Sequence, residues 1–170
     1  MIDVQNDIAA GAYNLQNVLA NIKFCVEKAR AAGVMVVWVQ HNDDEIRVDT
    51  DGWQIVEQLA PAYGEPIVRK SFRSSFEATN LEEILVGLGV NHLIINGMQT
   101  NNCVRHSSHA ALERGYDVTL VSDAHTTTGY EWGGHKVDAA EMVDEANDNF
   151  GGYQLPGRGS RALKAAELNF

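Results

Sequence analysis

Cysteine, basic residues and long apolar runs are all scarce in this chain, and each shortage argues against a class of protein. Cys25 and Cys103 are its two cysteines and form no spacing motif, which argues against a disulfide framework or a zinc ribbon. Lysine and arginine number 13 against 23 acidic residues, and the net charge of −10 disfavours nucleic acid and anionic membranes as partners. No apolar run approaches the length of a membrane span, and no signal-peptide pattern is present. The sequence therefore predicts a cytoplasmic protein without a membrane or nucleic-acid partner.

The composition is that of an ordinary globular protein, with 45% hydrophobic and 21% charged residues. The length of 170 residues is enough for one domain with a full core, and residues 1–170 are predicted to form a single domain. Apolar residues recur at helical spacing in Asn14–Ala32. The continuous apolar run Val34–Val39 is typical of a strand covered on both faces.

The same patterns predict alternating strands and helices along the rest of the chain. Further helices are predicted over residues 53–59, 79–87, 102–114 and 137–147, and further strands at the start and over residues 67–69, 93–95 and 118–122. The tail from residue 150 is predicted to be mostly irregular, with residues 161–168 as a short strand or a helical turn. This alternation predicts an α/β fold in which helices cover both faces of a mainly parallel sheet of five or six strands.

In such folds ligands bind beyond the carboxyl ends of the strands, and side chains able to do chemistry cluster there. They are Asp3, His41, Lys70, Cys103, Asp123 and His125. Cys103 stands at the predicted start of a helix, for which Asn101 or Asn102 is the expected N-cap. The partial positive charge of a helix start favours thiolate over thiol, which makes Cys103 a candidate nucleophile. The alternative is a structural cysteine at an ordinary strand–helix junction, and core packing is the prediction for Cys25.

Five parts of the chain resemble, in order, the motifs of the isochorismatase-like cysteine hydrolase superfamily. They are Ile2–Asp7, Arg69–Lys70 with Ser75–Phe76 and Thr79–Leu81, Gly97–Val104, Gly115–Val118 and Ser122–Ala124. The superfamily includes nicotinamidase, N-carbamoylsarcosine amidohydrolase and isochorismatase, and a weaker likeness over residues 122–127 and 137–141 points to its streptothricin hydrolase branch. The resemblance implies a Rossmann-like three-layer α/β/α fold and a homo-oligomer, either a dimer or a tetramer.

The resemblance also implies a catalytic triad of Asp3, Lys70 and Cys103. In it Cys103 is the nucleophile, Asp3 is the general base, and Lys70 is expected to lower the thiol pKa. A non-proline cis peptide is expected between Met98 and Gln99, by position. The backbone N–H groups of Gln99 and Cys103 are expected to form an oxyanion hole.

Substrate binding is predicted for His41, Asn102, Tyr130 and Trp132. Tyr130 and Trp132 belong to a loop over residues 126–136, which is long enough to cover the mouth of a pocket. A contact between subunits is the alternative for this loop, and the sequence does not choose between the two. The predicted partner of the site is a small molecule.

The function predicted from these residues is cysteine-dependent hydrolysis of a C–N bond in an amide, ureide or lactam, through an acyl-thioester. The alternatives are a catalytically silent binding or oligomerisation protein, a vinyl-ether hydrolase of the isochorismatase type, and a redox-active thiol protein. No cofactor and no metal are predicted. Gln40–Asp43 does not match the Asp-x-His metal pattern of nicotinamidases, and His106 with His109 is a weak ligand set.

Overall fold

The computed structural model describes all 170 residues, and helices alternate with strands along the chain. The helices are α1 (Asn6–Ala9), α2 (Leu15–Ala31), α3 (Leu81–Leu88), α4 (Arg105–Glu113) and α5 (Ala139–Phe150), with a π-helical turn at Thr100–Val104 and a 3₁₀ turn at Ala165–Glu167. The strands are β1 (Trp38–His41), β2 (Ile67–Lys70), β3 (His92–Met98), β4 (Asp117–Thr126), β5 (Tyr130–Trp132), β6 (His135–Val137), β7 (Gln154–Leu155) and β8 (Arg158–Leu163). No helix combines the length and the apolar character that a membrane span requires.

Six strands form the central sheet, in the order β2, β1, β3, β4, β8 and β7. The pairs β1–β2, β3–β4 and β4–β8 are parallel, and only β7 runs antiparallel to its neighbour. β1 and β3 do not pair directly, because a single residue, Ile2, forms a parallel bridge to Val39 on one side and to Gly97 on the other. The prediction of an α/β fold with a mainly parallel sheet is confirmed.

Helices cover both faces of this sheet because side chains alternate between the two faces along each strand. Trp38 and Val121 face one layer with α2, whereas Val39 and Leu120 face the opposite layer with α3, α4 and α5. The helical spacing of apolar residues in α2 produces its buried face. Cys25 lies on that face and is buried in the core, as predicted.

Two of the predicted elements are wrong or shortened. Residues 53–59 form turns rather than a helix, because their backbone groups bond to a distant segment: Val56 N donates to Val4 O at 3.1 Å, and Gln54 O accepts from Asn6 N at 3.0 Å. The apolar run from Val34 becomes a strand only at Trp38, where pairing with β2 begins. A strand needs a hydrogen-bonded neighbour as well as an apolar pattern.

The second half of the chain is more regular than the sequence predicts. The loop over residues 126–136 contains the antiparallel hairpin β5–β6, and the tail contains β8, which pairs with residues 118–121 of β4. Helix α5 begins at Ala139, because the side chain of Asp138 caps it by accepting from Ala140 N at 2.7 Å. The tail therefore adds the strands β8 and β7 to the edge of the central sheet.

Candidate active site

The carboxyl ends of the strands bring the three residues of the expected triad together. Asp3 follows the bridge residue Ile2, is fully buried, and has a left-handed φ of 50°, a conformation that Asp tolerates better than most residues. Lys70 is the last residue of β2 and is 2% exposed. Cys103 lies in the π-helical turn that follows β3 and is half-buried.

The Lys70 ammonium lies between the other two side chains. Its Nζ is 2.6 Å from Asp3 Oδ2 and donates to Cys103 Sγ at 3.2 Å. Two further contacts hold the ammonium, since it donates to Phe72 O at 3.1 Å and to His41 Nδ1 at 3.2 Å. The carboxylate, the ammonium and the thiol therefore form one contiguous cluster, in which Asp3 and Lys70 are buried and Cys103 is half-buried.

Two residues, His41 and Gln5, hold the Lys70 ammonium in position. His41 accepts from Lys70 with Nδ1, so its Nε2–H is free to donate to Asp43 Oδ2 at 2.9 Å. The side-chain amide of Gln5 is fully buried, accepts from His41 N at 2.7 Å and donates to His41 O at 2.9 Å. The sequence predicts that His41 binds substrate. In the structure its ring contacts Lys70 directly.

The thiol pKa contradicts the expectation of a thiolate stabilised in the free protein. Burial and then the nearby Asp3 carboxylate raise the pKa of Cys103 to about 12, because Lys70 offsets only part of their effect. Burial also raises the pKa of Asp3, although Lys70 acts in the opposite direction. Cys103 is therefore a protonated thiol at neutral pH, and it needs a proton acceptor when it reacts.

The turn that carries Cys103 also differs from the predicted helix start. The peptide bond between Met98 and Gln99 is cis, at the position expected from the resemblance. Neither Asn101 nor Asn102 acts as an N-cap, because the chain continues from Gln99 into the π-helical turn without a side-chain cap. The favourable charge at this helix start is outweighed by burial and by the Asp3 carboxylate, which raise the thiol pKa.

A buried polar network supports this turn and was not foreseen as such. Thr100 Oγ1 donates to His125 Nδ1 at 2.9 Å, and His125 Nε2 donates to Asn147 Oδ1 at 3.0 Å. Asn147 Nδ2 in turn donates to the carbonyl of Ser122 at 3.0 Å. Burial lowers the pKa of His125, so the ring is neutral and can accept from Thr100.

The other predicted substrate ligands are placed differently from one another. Asn102 is half-buried beside Cys103 and remains close to the cluster. Tyr130 and Trp132 are 49% and 74% exposed on the hairpin β5–β6, which makes its substantial contacts within itself. Both aromatic rings are therefore largely open to solvent.

His106 and His109, the two histidines of α4, make other contacts. His106 is exposed and its Nδ1 bonds to Asn102 O at 2.8 Å. His109 packs against the rings of Phe150 and Tyr153. No three His, Cys, Asp or Glu side chains are grouped so as to hold a metal ion.

Sequence reasoning missed three residues that shape the site, namely Gln5, Thr100 and Asn147. It named His125 only as a side chain beyond a strand, whereas His125 lies within β4. Gln5 and Thr100 lie inside the motifs that carry the resemblance, so their position was the only signal for them. Asn147 had no such signal, since it joins the site only through the packing of α5 on β4. Their roles depend on hydrogen bonds between residues far apart in the chain.

Residues 1–148 match the family model described as the isochorismatase domain. The chain belongs to the isochorismatase family. One relative, the "Secreted isochorismatase effector Isc1" of Verticillium dahliae, is 34% identical over 86% of this chain and 78% of its own. The "Ureidoacrylate amidohydrolase RutB" of an Enterobacter strain is 28% identical over 78% of this chain and 76% of its own.

The isochorismatase family also contains relatives that are considerably longer than this chain. "Streptothricin hydrolase" of Streptomyces noursei is 33% identical over 75% of this chain, and the match spans 53% of that protein, about half of its length. Among solved structures, an isochorismatase from Pseudomonas putida superposes with a TM-score of 0.90 over 99% of this chain and 88% of that one, at 24% identity. That likeness establishes the fold, and two of the named relatives are hydrolases by name.

Proposed function

We propose that this protein hydrolyses a C–N bond of a small amide, ureide or lactam with Cys103 as nucleophile. The observation that carries the proposal is the contact of Lys70 Nζ with both Asp3 Oδ2, at 2.6 Å, and Cys103 Sγ, at 3.2 Å. A buried acid, a cation and a thiol in mutual contact are the parts that nucleophilic catalysis needs.

In the first step the Asp3 carboxylate takes the Cys103 proton as the sulfur attacks the carbonyl carbon of the substrate. The raised thiol pKa supports this assignment, because a protonated nucleophile needs an adjacent base. Because its pKa is raised, Asp3 is a stronger proton acceptor than an ordinary carboxylate. The transfer keeps the net charge of the cluster at zero, which limits the cost of moving charge inside a buried site.

The oxygen of the tetrahedral intermediate is predicted to lie at the backbone N–H groups of Gln99 and Cys103. Donors placed in this way contribute about 10²–10³ in rate. When the intermediate collapses, the C–N bond breaks and protonated Asp3 transfers its proton to the departing nitrogen. Water then attacks the acyl-thioester with Asp3 as base, and the proton returns to the Cys103 sulfur.

The neighbourhood of the cluster supports separate roles for Lys70 and His41. Lys70 stabilises the sulfur as negative charge develops on it, and Asp3 in its ionised form. His41 and Asp43 keep the ammonium aimed at the cluster through the chain of hydrogen bonds behind it. Asn102, half-buried beside Cys103, is proposed to contact the substrate.

The type of bond is supported by the nucleophile and by one relative's name. RutB is named a ureidoacrylate amidohydrolase, and amidohydrolases cleave C–N bonds. A thiol attacks an acyl carbon readily, whereas hydrolysis of a vinyl ether needs no thioester. Because Isc1 is named an isochorismatase effector, vinyl-ether hydrolysis is the second candidate function.

The test is release of ammonia or amine from a panel of primary amides, ureides and lactams, with isochorismate as a separate arm. Wild type is compared with Cys103→Ala and with Cys25→Ala, which removes the other free cysteine, buried in the core. The proposal predicts release by wild type and Cys25→Ala and none by Cys103→Ala. Activity on isochorismate alone, unchanged in Cys103→Ala, would establish the vinyl-ether reaction instead.

Location and assembly complete the proposal. Both cysteines are free, which supports the reducing cytoplasmic setting expected from the sequence. Isc1 is named a secreted effector, so localisation of the tagged protein is the direct measurement. A homo-oligomer is supported by the exposed aromatic residues of the hairpin β5–β6 and is measured by light scattering.

A further inference from the structure

Side chains fasten the π-helical turn that carries Cys103 to the end of β4. Thr100 Oγ1 bonds to His125 Nδ1 at 2.9 Å, and Asn101 Oδ1 accepts from Thr127 Oγ1 at 2.7 Å. The first of these bonds is shielded from water, since Thr100 and His125 are 0% and 1% exposed. The catalytic steps described above use neither bond, so the buried histidine has no role in them.

The direction of each hydrogen bond around His125 follows from the far end of the network. Ser122 contributes a backbone carbonyl, which only accepts, so the amide NH₂ of Asn147 donates to it at 3.0 Å. The amide oxygen of Asn147 then lies 3.0 Å from His125 Nε2, and this nitrogen must carry the proton. Burial keeps the ring neutral by lowering its pKa, so Nδ1 accepts and the Thr100 hydroxyl donates. The network therefore selects one tautomer of His125 and one orientation of the Thr100 hydroxyl.

Thr100 directly follows Gln99, whose backbone N–H is one of the two expected oxyanion donors. That N–H donates to no backbone carbonyl, whereas the Gln99 carbonyl accepts from Asn102 N at 3.1 Å and from Val104 N at 3.2 Å. These bonds close residues 99–104 into one hydrogen-bonded loop. A displacement of Thr100 therefore moves the N–H groups of Gln99 and Cys103 together.

We propose that His125 is a positioning residue for the hydrolysis, which holds Thr100 and, through it, the oxyanion donors at Gln99 and Cys103. Such donors must lie about 2.7–3.1 Å from the developing oxyanion, and a misplacement of about 1 Å can cost about 10²-fold in rate. Asn147 extends this support to α5, so the packing of that helix contributes to the geometry of the turn. The proposal rests on the proposed function, because an oxyanion hole presupposes attack of Cys103 on an acyl carbon.

The test compares two reagents that modify Cys103 by different routes. p-Nitrophenyl acetate is attacked at its carbonyl carbon: a C–S bond forms through a tetrahedral intermediate, Asp3 takes the thiol proton, and the C–O bond breaks to release p-nitrophenolate. Iodoacetamide loses iodide as the sulfur attacks a saturated carbon, so no oxyanion forms. The ratio of acylation to alkylation rates therefore measures the oxyanion hole separately from the reactivity of the thiol. Mass spectrometry of the Cys103 peptide follows both reactions, with Cys103→Ala as the blank.

Two matched pairs of variants separate the bond to Thr100 from the rest of the network. His125→Asn places an amide oxygen near the position of Nδ1 and can still accept from Thr100, whereas His125→Gln reaches the position of Nε2 and keeps only the bond to Asn147. His125→Gln is expected to lower the acylation-to-alkylation ratio by about 10–100-fold, and His125→Asn much less. Thr100→Val should match His125→Gln, because it removes the hydroxyl, and Thr100→Ser should retain most of the ratio. On an amide that the wild type hydrolyses, the same loss should appear in kcat and not in KM.

Ser160→Ala is the control for a loss of stability alone, because Ser160 Oγ donates to Phe150 O at 2.8 Å in another buried part of the sheet. It should lower Tm and leave the ratio unchanged. A wild-type ratio in folded His125→Gln and Thr100→Val would show that the network is only structural and would overturn the proposal; if Thr100→Val does not fold, the two His125 variants decide. Absence of Cys103 acylation in wild type would also overturn it, whereas ammonia release from the amide panel tests the proposed function separately.

Discussion

Replacing Asp3 with asparagine is expected to make Cys103 more reactive toward alkylating agents while turnover is lost. Burial and the Asp3 carboxylate both raise the thiol pKa, and Lys70 offsets only part of the rise. Removing the carboxylate charge leaves the Lys70 ammonium beside the sulfur. The backbone should tolerate the change, because asparagine also adopts the left-handed φ of 50° found at residue 3.

The size of the effect follows from Coulomb's law. Asp3 Oδ2 and Cys103 Sγ both contact Lys70 Nζ, and the Asp3 carboxylate acts directly on the thiol pKa. A unit charge about 4 Å away contributes about 4 kcal/mol at an effective dielectric constant of about 20, which is about 3 pH units on a thiol pKa. Removing the Asp3 charge should therefore lower the thiol pKa of about 12 by up to about 3 pH units, while burial continues to raise it. Thiolate at pH about 8 then increases by up to about 1,000-fold, and its lower nucleophilicity reduces the gain in alkylation rate to at most about 50-fold.

The assay is iodoacetamide labelling of Cys103 between about pH 6 and pH 10, followed by peptide mass spectrometry. Cys25 is the internal control, because it lies in the core and burial raises its pKa to about 11. Hydrolysis by the variant should fall at least about 100-fold, since a general base contributes about 10²–10⁴. If folded Asp3→Asn protein is labelled at Cys103 no faster than wild type, the carboxylate does not control the thiol and the reasoning is wrong.

Three other changes test the fold and the assembly. Gly97→Ala should lower the free energy of unfolding by about 3 kcal/mol or more. A Cβ at residue 97 would lie 2.0 Å from Ile2 O, and the φ of +123° is unfavourable for alanine. Thermal melting measures this loss of stability. Wild type should lose stability as pH falls below about 6.5, because burial lowers the pKa of His125 and the unfolded chain therefore binds a proton more readily than the folded one. In urea unfolding, His125→Gln should show a smaller loss of stability over this pH range. Trp132→Ala should halve the particle mass in light scattering if the exposed hairpin joins subunits. An unchanged mass with a higher KM would instead indicate that the Trp132 ring binds substrate.

Local patterns were enough to predict much of the fold. The apolar spacing in α2 and the run that becomes β3 depend on neighbours in the sequence, and both lie close to their predicted positions. The order of elements then placed Asp3, Lys70 and Cys103 at the same sheet edge, because parallel strands end on the same side. The resemblance to isochorismatase-like hydrolases, confirmed by the family match, rested on motifs of the same local kind.

Elements that depend on distant partners could not be predicted in this way. Residues 53–59 carry a helix-like pattern, but Val4 and Asn6 take up their backbone groups and turns form instead. Residues 34–37 are as apolar as a strand, but no neighbour pairs with them. The strand β8 has a weak local pattern, but pairing with β4 stabilises it.

For the candidate site, the sequence by itself determined which residue types reach the sheet edge and in what order. Only the tertiary structure decided how they interact, because the pKa of a thiol depends on burial and on charges from other strands. Cys103, predicted to be a thiolate at a helix start, is a half-buried thiol beside a carboxylate, with its pKa raised to about 12. The hydrogen bonds of Gln5 to His41 and of Thr100 to His125 join segments 36 and 25 residues apart, distances that no local pattern encodes.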